Sequence, residues 1–196
     1  MKFGVLGLQG DFREHIESLK ACGVDAIAAN THSDLESIGA LVIPGGESTT
    51  ISKLAKSFDL FDLIKTRINS GMPTYGSCAG MIMVANTIIE PASGQESFGG
   101  IDIAVRRNAF GRQVESFESD LAIAGIAGSP VRAVFIRAPW VESWGSDVEI
   151  LASVEQAGGV HPVAVRQGKV LATSFHPELT ADHRIHQLFV EQIAQA

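Results

Sequence analysis

Cysteine is scarce in this chain, with only Cys22 and Cys78 among 196 residues. At most one disulfide is available and nothing marks secretion, so the expected compartment is the reducing cytoplasm. Basic residues are also few: 15 Lys and Arg against 22 Asp and Glu leave a net charge of −7, and they form no run. A nucleic-acid partner is therefore not expected, because duplex binding needs a concentrated positive footprint to release counterions. No apolar stretch reaches the roughly 18 to 20 residues that span a bilayer, so no membrane partner is expected either. Residues 1–8 run into Gln9, Gly10 and Asp11 with no small-residue cleavage site behind them, and read as a first strand. With 7 prolines, 20 glycines, 45% apolar and 19% charged residues, the chain is neither low-complexity nor disordered. Its length fits one domain, 1–196, better than two.

Short Val-, Ile- and Leu-rich runs recur at 3–8, 24–29, 40–43, 72–76, 101–105, 133–136, 150–154, 160–165 and 170–175. In the first half they alternate with helical patterns at 11–22, 48–57 and 59–70, which predicts consecutive βαβ units around a parallel sheet. In the helix at 11–22, Phe12, Ile16, Leu19 and Cys22 fall on one apolar face, which assigns Cys22 to the core. From 98 to 170 the runs lie closer together between Gly-rich breaks, which suits antiparallel additions. A last helix at 180–194 sets Ile185, Leu188, Phe189 and Ile193 on one stripe. The expected fold is α/β: one mixed, mostly parallel sheet flanked by helices on both faces, with antiparallel additions in the second half.

Gly76-Ser77-Cys78-Ala79-Gly80 follows an apolar strand and precedes 81–85, which reads on as a helix. This is the pattern of a nucleophile elbow with sulfur as the nucleophile: the turn is too sharp for large neighbours, and the next helix directs its first amides at the side chain. Two glycines flanking a given cysteine arise by chance in about half a percent of cases. A thiolate needs a proton carrier, and the chain has His15, His32, His161, His176, His183 and His186. His176-Pro177-Glu178 ends an apolar strand and brings an orienting acid with it, whereas His161 has Pro162 but no acid two residues on. His183 and His186 share a helix face that reads as solvated, and no metal-ligand pattern is present.

Pro44-Gly45-Gly46-Glu47-Ser48-Thr49-Thr50 leaves a strand and opens a helix, so its amides can converge on an oxyanion or carboxylate. It lacks the lysine of a P-loop, and the Gly4, Gly7, Gly10 spacing misses the dinucleotide fingerprint, so no cofactor is expected. Arg106, Arg107 and Arg137 are candidates to clamp a small carboxylate.

Taken together, Gly76-x-Cys78-x-Gly80 and His176-Pro177-Glu178 resemble the triad-type class I glutamine amidotransferases. Gly4-Val5-Leu6-Gly7-Leu8-Gln9-Gly10, the 44–50 loop, Arg107-Asn108-Ala109-Phe110-Gly111-Arg112-Gln113, Phe135-Ile136-Arg137-Ala138-Pro139 and Ser174-Phe175-His176-Pro177-Glu178-Leu179 narrow the resemblance to the glutaminase subunits of pyridoxal 5′-phosphate synthase. The resemblance implies Cys78 as nucleophile, His176 as base and then acid, and Glu178 as its orienting carboxylate. It further implies that Gly46, Glu47, Ser48, Arg107, Ile136 and Arg137 contact L-glutamine, and that the Gly46 and Ala79 amides hold the oxyanion. Its implied partner is a (β/α)8-barrel synthase subunit that consumes the ammonia in a hetero-oligomeric complex and switches the glutaminase on, through the Gly45-Gly46 backbone. Two departures stand out: Ser77 occupies a position where the family commonly has Thr, and 154–162 reads as a longer loop than usual. The competing readings on a similar fold are a cysteine hydrolase and a peroxide-sensing protein with Cys78 as the sensor.

Overall fold

The computed structural model describes residues 1–109, 116–156 and 159–194. Its first half alternates strands and helices: β1 (Phe3–Leu6), α1 (Phe12–Ala21), β2 (Ala26–Ala29), α2 (His32–Ser37), β3 (Ala40–Ile43), α3 (Ser48–Ser57), α4 (Phe61–Asn69), β4 (Thr74–Ser77) and α5 (Ala79–Val84). Strands then dominate: β5 (Ala85–Ile89), β6 (Ile101–Arg106), β7 (Ser116–Leu121), β8 (Val131–Ile136), β9 (Trp140–Trp144), β10 (Glu149–Gln156), β11 (Gly159–Gln167) and β12 (Val170–Thr173). A 3-10 turn (Pro177–Leu179) and α6 (Arg184–Phe189), which runs on as a π-helical turn (Val190–Ala194), complete the described chain.

Seven strands form the central sheet in the order β10-β11-β12-β4-β3-β1-β2. The five from β12 to β2 are parallel, and the β10–β11 hairpin is added antiparallel at the β12 edge. The α/β architecture predicted from the sequence is thus present, with its antiparallel part in the second half. Side ribbons β5-β6-β9 and β7-β8 complete the strands.

Alternation along the central strands feeds two cores, one on each face of the sheet. Leu41 and Ile43 of β3 join Ile51, Ile64, Met81 and Phe98 on one side. Ala40 and Val42 join Phe3, Tyr75, Phe135, Phe175 and Phe189 on the other. Each such aliphatic or phenyl side chain, moved fully out of water, contributes about 1.5–3 kcal/mol. No described helix is long and apolar enough to cross a membrane.

The helix expected over 81–85 is α5, which ends one residue early at Val84, with Ala85 opening β5. Three expectations need correction. Residues 154–156 and 159–162 belong to the paired strands β10 and β11 and not to a loop, with Val154 paired to His161 and Glu155 to Val160; residues 157–158 lie outside the described residues. The inner side of α1 is turned from the predicted stripe: His15, Ser18 and Leu19 are buried, while Phe12, Ile16 and Cys22 are only half-buried. His186 is fully buried and not on a solvated face. The segment 110–113 of the Arg107 motif also lies outside the described residues.

Close packing at the β4–α5 junction explains its glycines. A Cβ on Gly80 would sit 2.1 Å from the Ile43 carbonyl oxygen, and one on Gly76 would sit 2.4 Å from the Gly80 carbonyl oxygen. Both obstacles are backbone. Gly80→Ala is therefore expected to destabilise the fold by about 2–3 kcal/mol in urea unfolding, with an unchanged m-value; a loss below about 0.5 kcal/mol would contradict this packing.

Candidate active site

Cys78 is where β4 turns into α5, and its backbone is left-handed, with φ 49° and ψ −101°. Such a conformation costs a residue with a Cβ about 1–3 kcal/mol and persists only where surrounding contacts impose it. The Cys78 amide donates to the Thr173 carbonyl at 2.8 Å, extending the β4–β12 ladder one step, and the Met81 amide donates to the Cys78 carbonyl at 3.1 Å. The residue is 6% exposed, and its Sγ reaches a cavity 3.9 Å from the Ile136 carbonyl oxygen.

His176 arrives from the neighbouring strand. Past the end of β12 the chain is pinned by the His176 amide, which donates to the Val134 carbonyl at 2.9 Å. The Gly45 backbone covers the ring so closely that a Cβ there would lie 2.3 Å from Cε1. Pro177 then opens the 3-10 turn that swings Glu178 back, and His176 Nδ1 donates to Glu178 Oε1 at 2.7 Å. Burial alone would lower the imidazole pKa, but its contacts with the Cys78 sulfur and the Glu178 carboxylate prevail and push it up to about 10. Burial likewise opposes ionisation of Glu178, yet His15 and His176 hold its carboxyl well below the usual carboxylate range.

The cavity in front of Cys78 and His176 measures about 320 Å³. Of the residues singled out in the sequence, Gly46, Glu47, Ser48, Cys78, Ala79, Arg107, Ile136, Arg137 and His176 all line it, while Glu178 stands buried behind His176. Arg106 does not belong to the set: it pairs with Glu142 at 3.0 Å and with Glu90 at 3.9 Å. His161 stacks on Trp140 at 3.7 Å, and His32 Nε2 is 3.0 Å from the Asp59 carbonyl oxygen. Cys22 is half-buried at the edge of the second core, where burial and then Glu191 raise its thiol pKa.

Side chains that the sequence reading passed over organise the cavity wall. Gln9 Oε1 accepts the Glu47 amide at 2.8 Å, and the Glu47 carboxylate accepts the Thr50 amide at 2.9 Å, capping α3. Those two amides of the 44–50 loop therefore serve the loop itself and not a bound anion. Gln95 links the two sides: its Nε2 donates to Ser48 Oγ at 2.9 Å, and its Oε1 accepts from Arg107 at 2.8 Å. Glutamine is an ordinary surface residue, so nothing in the sequence around position 95 marks it. Among the described residues, Asp11, His176 and Glu178 are the one group with potential metal-ligand atoms within 4.8 Å, and within it the Nδ1 of His176 and the Glu178 carboxylate are already bonded to each other.

The model of the SNO glutamine amidotransferase family matches residues 5–195. The pyridoxal 5′-phosphate synthase subunit PdxT of Rhodococcus opacus (strain B4) is 58% identical over 191 residues, which cover 96% of this chain and 95% of that protein. The subunit of the same name from Acidothermus cellulolyticus is 56% identical over 196 residues, covering 98% and 94%. A crystal structure described as a glutamine amidotransferase superposes with a TM-score of 0.89 at 47% identity, covering 99% of both chains. Since the match runs from β1 to the C-terminal helix and takes in Cys78, His176 and Glu178, the chain belongs to the SNO glutamine amidotransferase family.

Proposed function

We propose that residues 1–196 form one glutaminase domain that releases ammonia from L-glutamine and delivers it to the synthase subunit of a cytoplasmic pyridoxal 5′-phosphate synthase, a (β/α)8 barrel. The observation that carries the reading is the strained Cys78 at the mouth of a cavity beside a His176 imidazole bonded to a buried Glu178. The relatives that are 58% and 56% identical bear the name of that synthase's subunit. The two free thiols suit a reducing compartment.

With its pKa at about 10, His176 carries a proton at neutral pH and pairs with a Cys78 thiolate. The thiolate attacks the side-chain amide carbon of glutamine, and the carbonyl oxygen becomes an oxyanion facing the amides of Ala79 and Gly46. His176 then gives its proton to the departing nitrogen, ammonia leaves, and a cysteinyl thioester remains. His176, now neutral, takes a proton from water, whose oxygen attacks the thioester; glutamate leaves and the thiolate–imidazolium pair returns. Glu178 stays ionised and turns the ring. Arg107, braced by Gln95 and Glu47, offers its guanidinium to the glutamine carboxylate, with Ser48, Ile136 and Arg137 along the wall. Gly46, at φ 140°, can carry its peptide between two orientations, which gives a docked synthase a means of completing the oxyanion site.

Glutamate release by the complex with the synthase subunit tests this directly. Cys78→Ala is expected to lower kcat by at least about 10³-fold, and Arg107→Ala to raise KM about tenfold at nearly constant kcat. Turnover that survives in Cys78→Ala, or sulfur oxidation by peroxide with no glutamine turnover in the wild type, would refute the reading.

The His176 pKa carries a second expectation. Because it rises on folding from an ordinary value near 6.5 to about 10, its stabilising contribution is full below pH 6.5 and is lost as the pH climbs through 10. The difference in unfolding free energy between wild type and His176→Gln should be widest at pH 6 and close progressively toward pH 10. A gap that widened with pH would show that the imidazole is neutral in the folded state.

A further inference from the structure

The Glu178 carboxylate has two oxygens, and the proposed triad uses only Oε1. On the other side, the Ser77 hydroxyl has one hydrogen between two acceptors, the Phe175 carbonyl at 3.2 Å and Oε2 at 3.3 Å, and His15 Nε2 stands 3.3 Å from Oε2 with its N–H off the line of a hydrogen bond. His15, on α1, is fully buried, and its Nδ1 lies 2.8 Å from Nε2 of the equally buried His186 on α6. Both rings meet Tyr75 edge-on at 5.9 Å. A row thus runs from the cavity into the core: Cys78, His176, Glu178, His15, His186.

The chemistry of the partners determines where the protons sit. A carboxylate only accepts, so the His15 proton belongs on Nε2, facing Glu178. With that single proton on His15, Nδ1 is a bare lone pair, and the 2.8 Å contact has His186 donate from Nε2. That leaves His186 Nδ1 without a proton, and it is a buried nitrogen with no hydrogen-bond partner. Either arrangement leaves a buried nitrogen short of a partner, but this one aims the His15 N–H at the carboxylate, whereas the reversed one would turn a lone pair on it and bury an unpaired N–H on His186. Burial pushes the His186 pKa down to about 3, which keeps that ring neutral. Two phenyl rings would fill this space with no polar atoms to satisfy, so packing alone does not account for a histidine pair.

We infer that His15, oriented by His186, is a positioning residue for the reaction proposed above: it holds the inner oxygen of Glu178 so that the outer one meets His176. The inference rests on the glutaminase reading for its kinetic consequences and on the ring geometry for the rest.

The test is a double-mutant cycle on glutamate release by the synthase complex, with nitrogen-15 histidine NMR of the wild-type chain beside it. His15→Phe is expected to lower kcat about tenfold with KM unchanged within about twofold. His15→Gln, whose amide nitrogen can occupy the place of Nε2, should keep kcat within about threefold of wild type. In a Glu178→Gln background, His15→Phe should change kcat by less than about twofold, because the group it acts through is gone. The spectra should show His186 as the neutral Nε2–H tautomer and a proton on His15 Nε2, facing Glu178. An equal loss in both backgrounds, no loss in either, a Gln variant no better than Phe, or a His15 proton on Nδ1 would each overturn the inference. If no complex hydrolyses glutamine, the glutaminase reading fails by itself and the tautomers still decide the arrangement.

Discussion

The Cys78 amide donates to the Thr173 carbonyl at 2.8 Å, and that bond ties the elbow after β4 to the end of β12. The strands are parallel and in register, Ser77 opposite Thr173, so both chains leave the sheet at the same edge. Two side chains 98 positions apart in sequence are thereby delivered to one spot without any long loop having to find it. The rest of the site is arranged around this pair. Gly45 closes over the imidazole, Gly80 lets α5 press against β3, and the turn at Pro177 brings the carboxylate behind the ring.

A charged carboxylate with no exposed side-chain surface is expensive unless its lone pairs are occupied. Here Ser77, His15 and His176 surround it, and the positive member of the set faces the cavity. Charge is ordered along the row: sulfur and imidazole outside, carboxylate in the middle, and the neutral His186 ring deepest in the core. Each group fixes the protonation of the next, which is why burial depresses His186 while His176, also mostly buried, is raised. His176 has a sulfur and a carboxylate beside it that outweigh its burial, and His186, deeper in the core, has no contact that does.

Much of this was legible in the residues. Apolar runs between helical patterns announced the parallel sheet, because strands covered on both faces have no polar side to interrupt them. The elbow and the strand-ending His176-Pro177-Glu178 could be read for a related reason: tight turns restrict which residue types fit, and the restriction shows locally. What escaped notice was either two-faced or distant. β7 (Ser116–Leu121) and β9 (Trp140–Trp144) carry polar residues on their open side and offer no continuous apolar run. On α1 the reading trusted Ile16 to mark the inner face, yet His15 one position away is fully buried, since a polar ring with partners can displace an apolar neighbour from the core. Those partners come from β4, α6 and the turn after β12, contacts that no local periodicity encodes. Gln9 and Gln95 were missed in the same way: their roles exist only once loops far apart in sequence meet.

The account stands on Cys78 being the group that bonds to the glutamine side chain. A chloroketone analogue of glutamine, incubated with the synthase complex and followed by peptide mass spectrometry, examines that bond itself. The predicted result is one adduct on Cys78, slowed by added glutamine, with Cys22 unmodified. Labelling of Cys22 at a comparable rate, or no protection of Cys78 by glutamine, would contradict it.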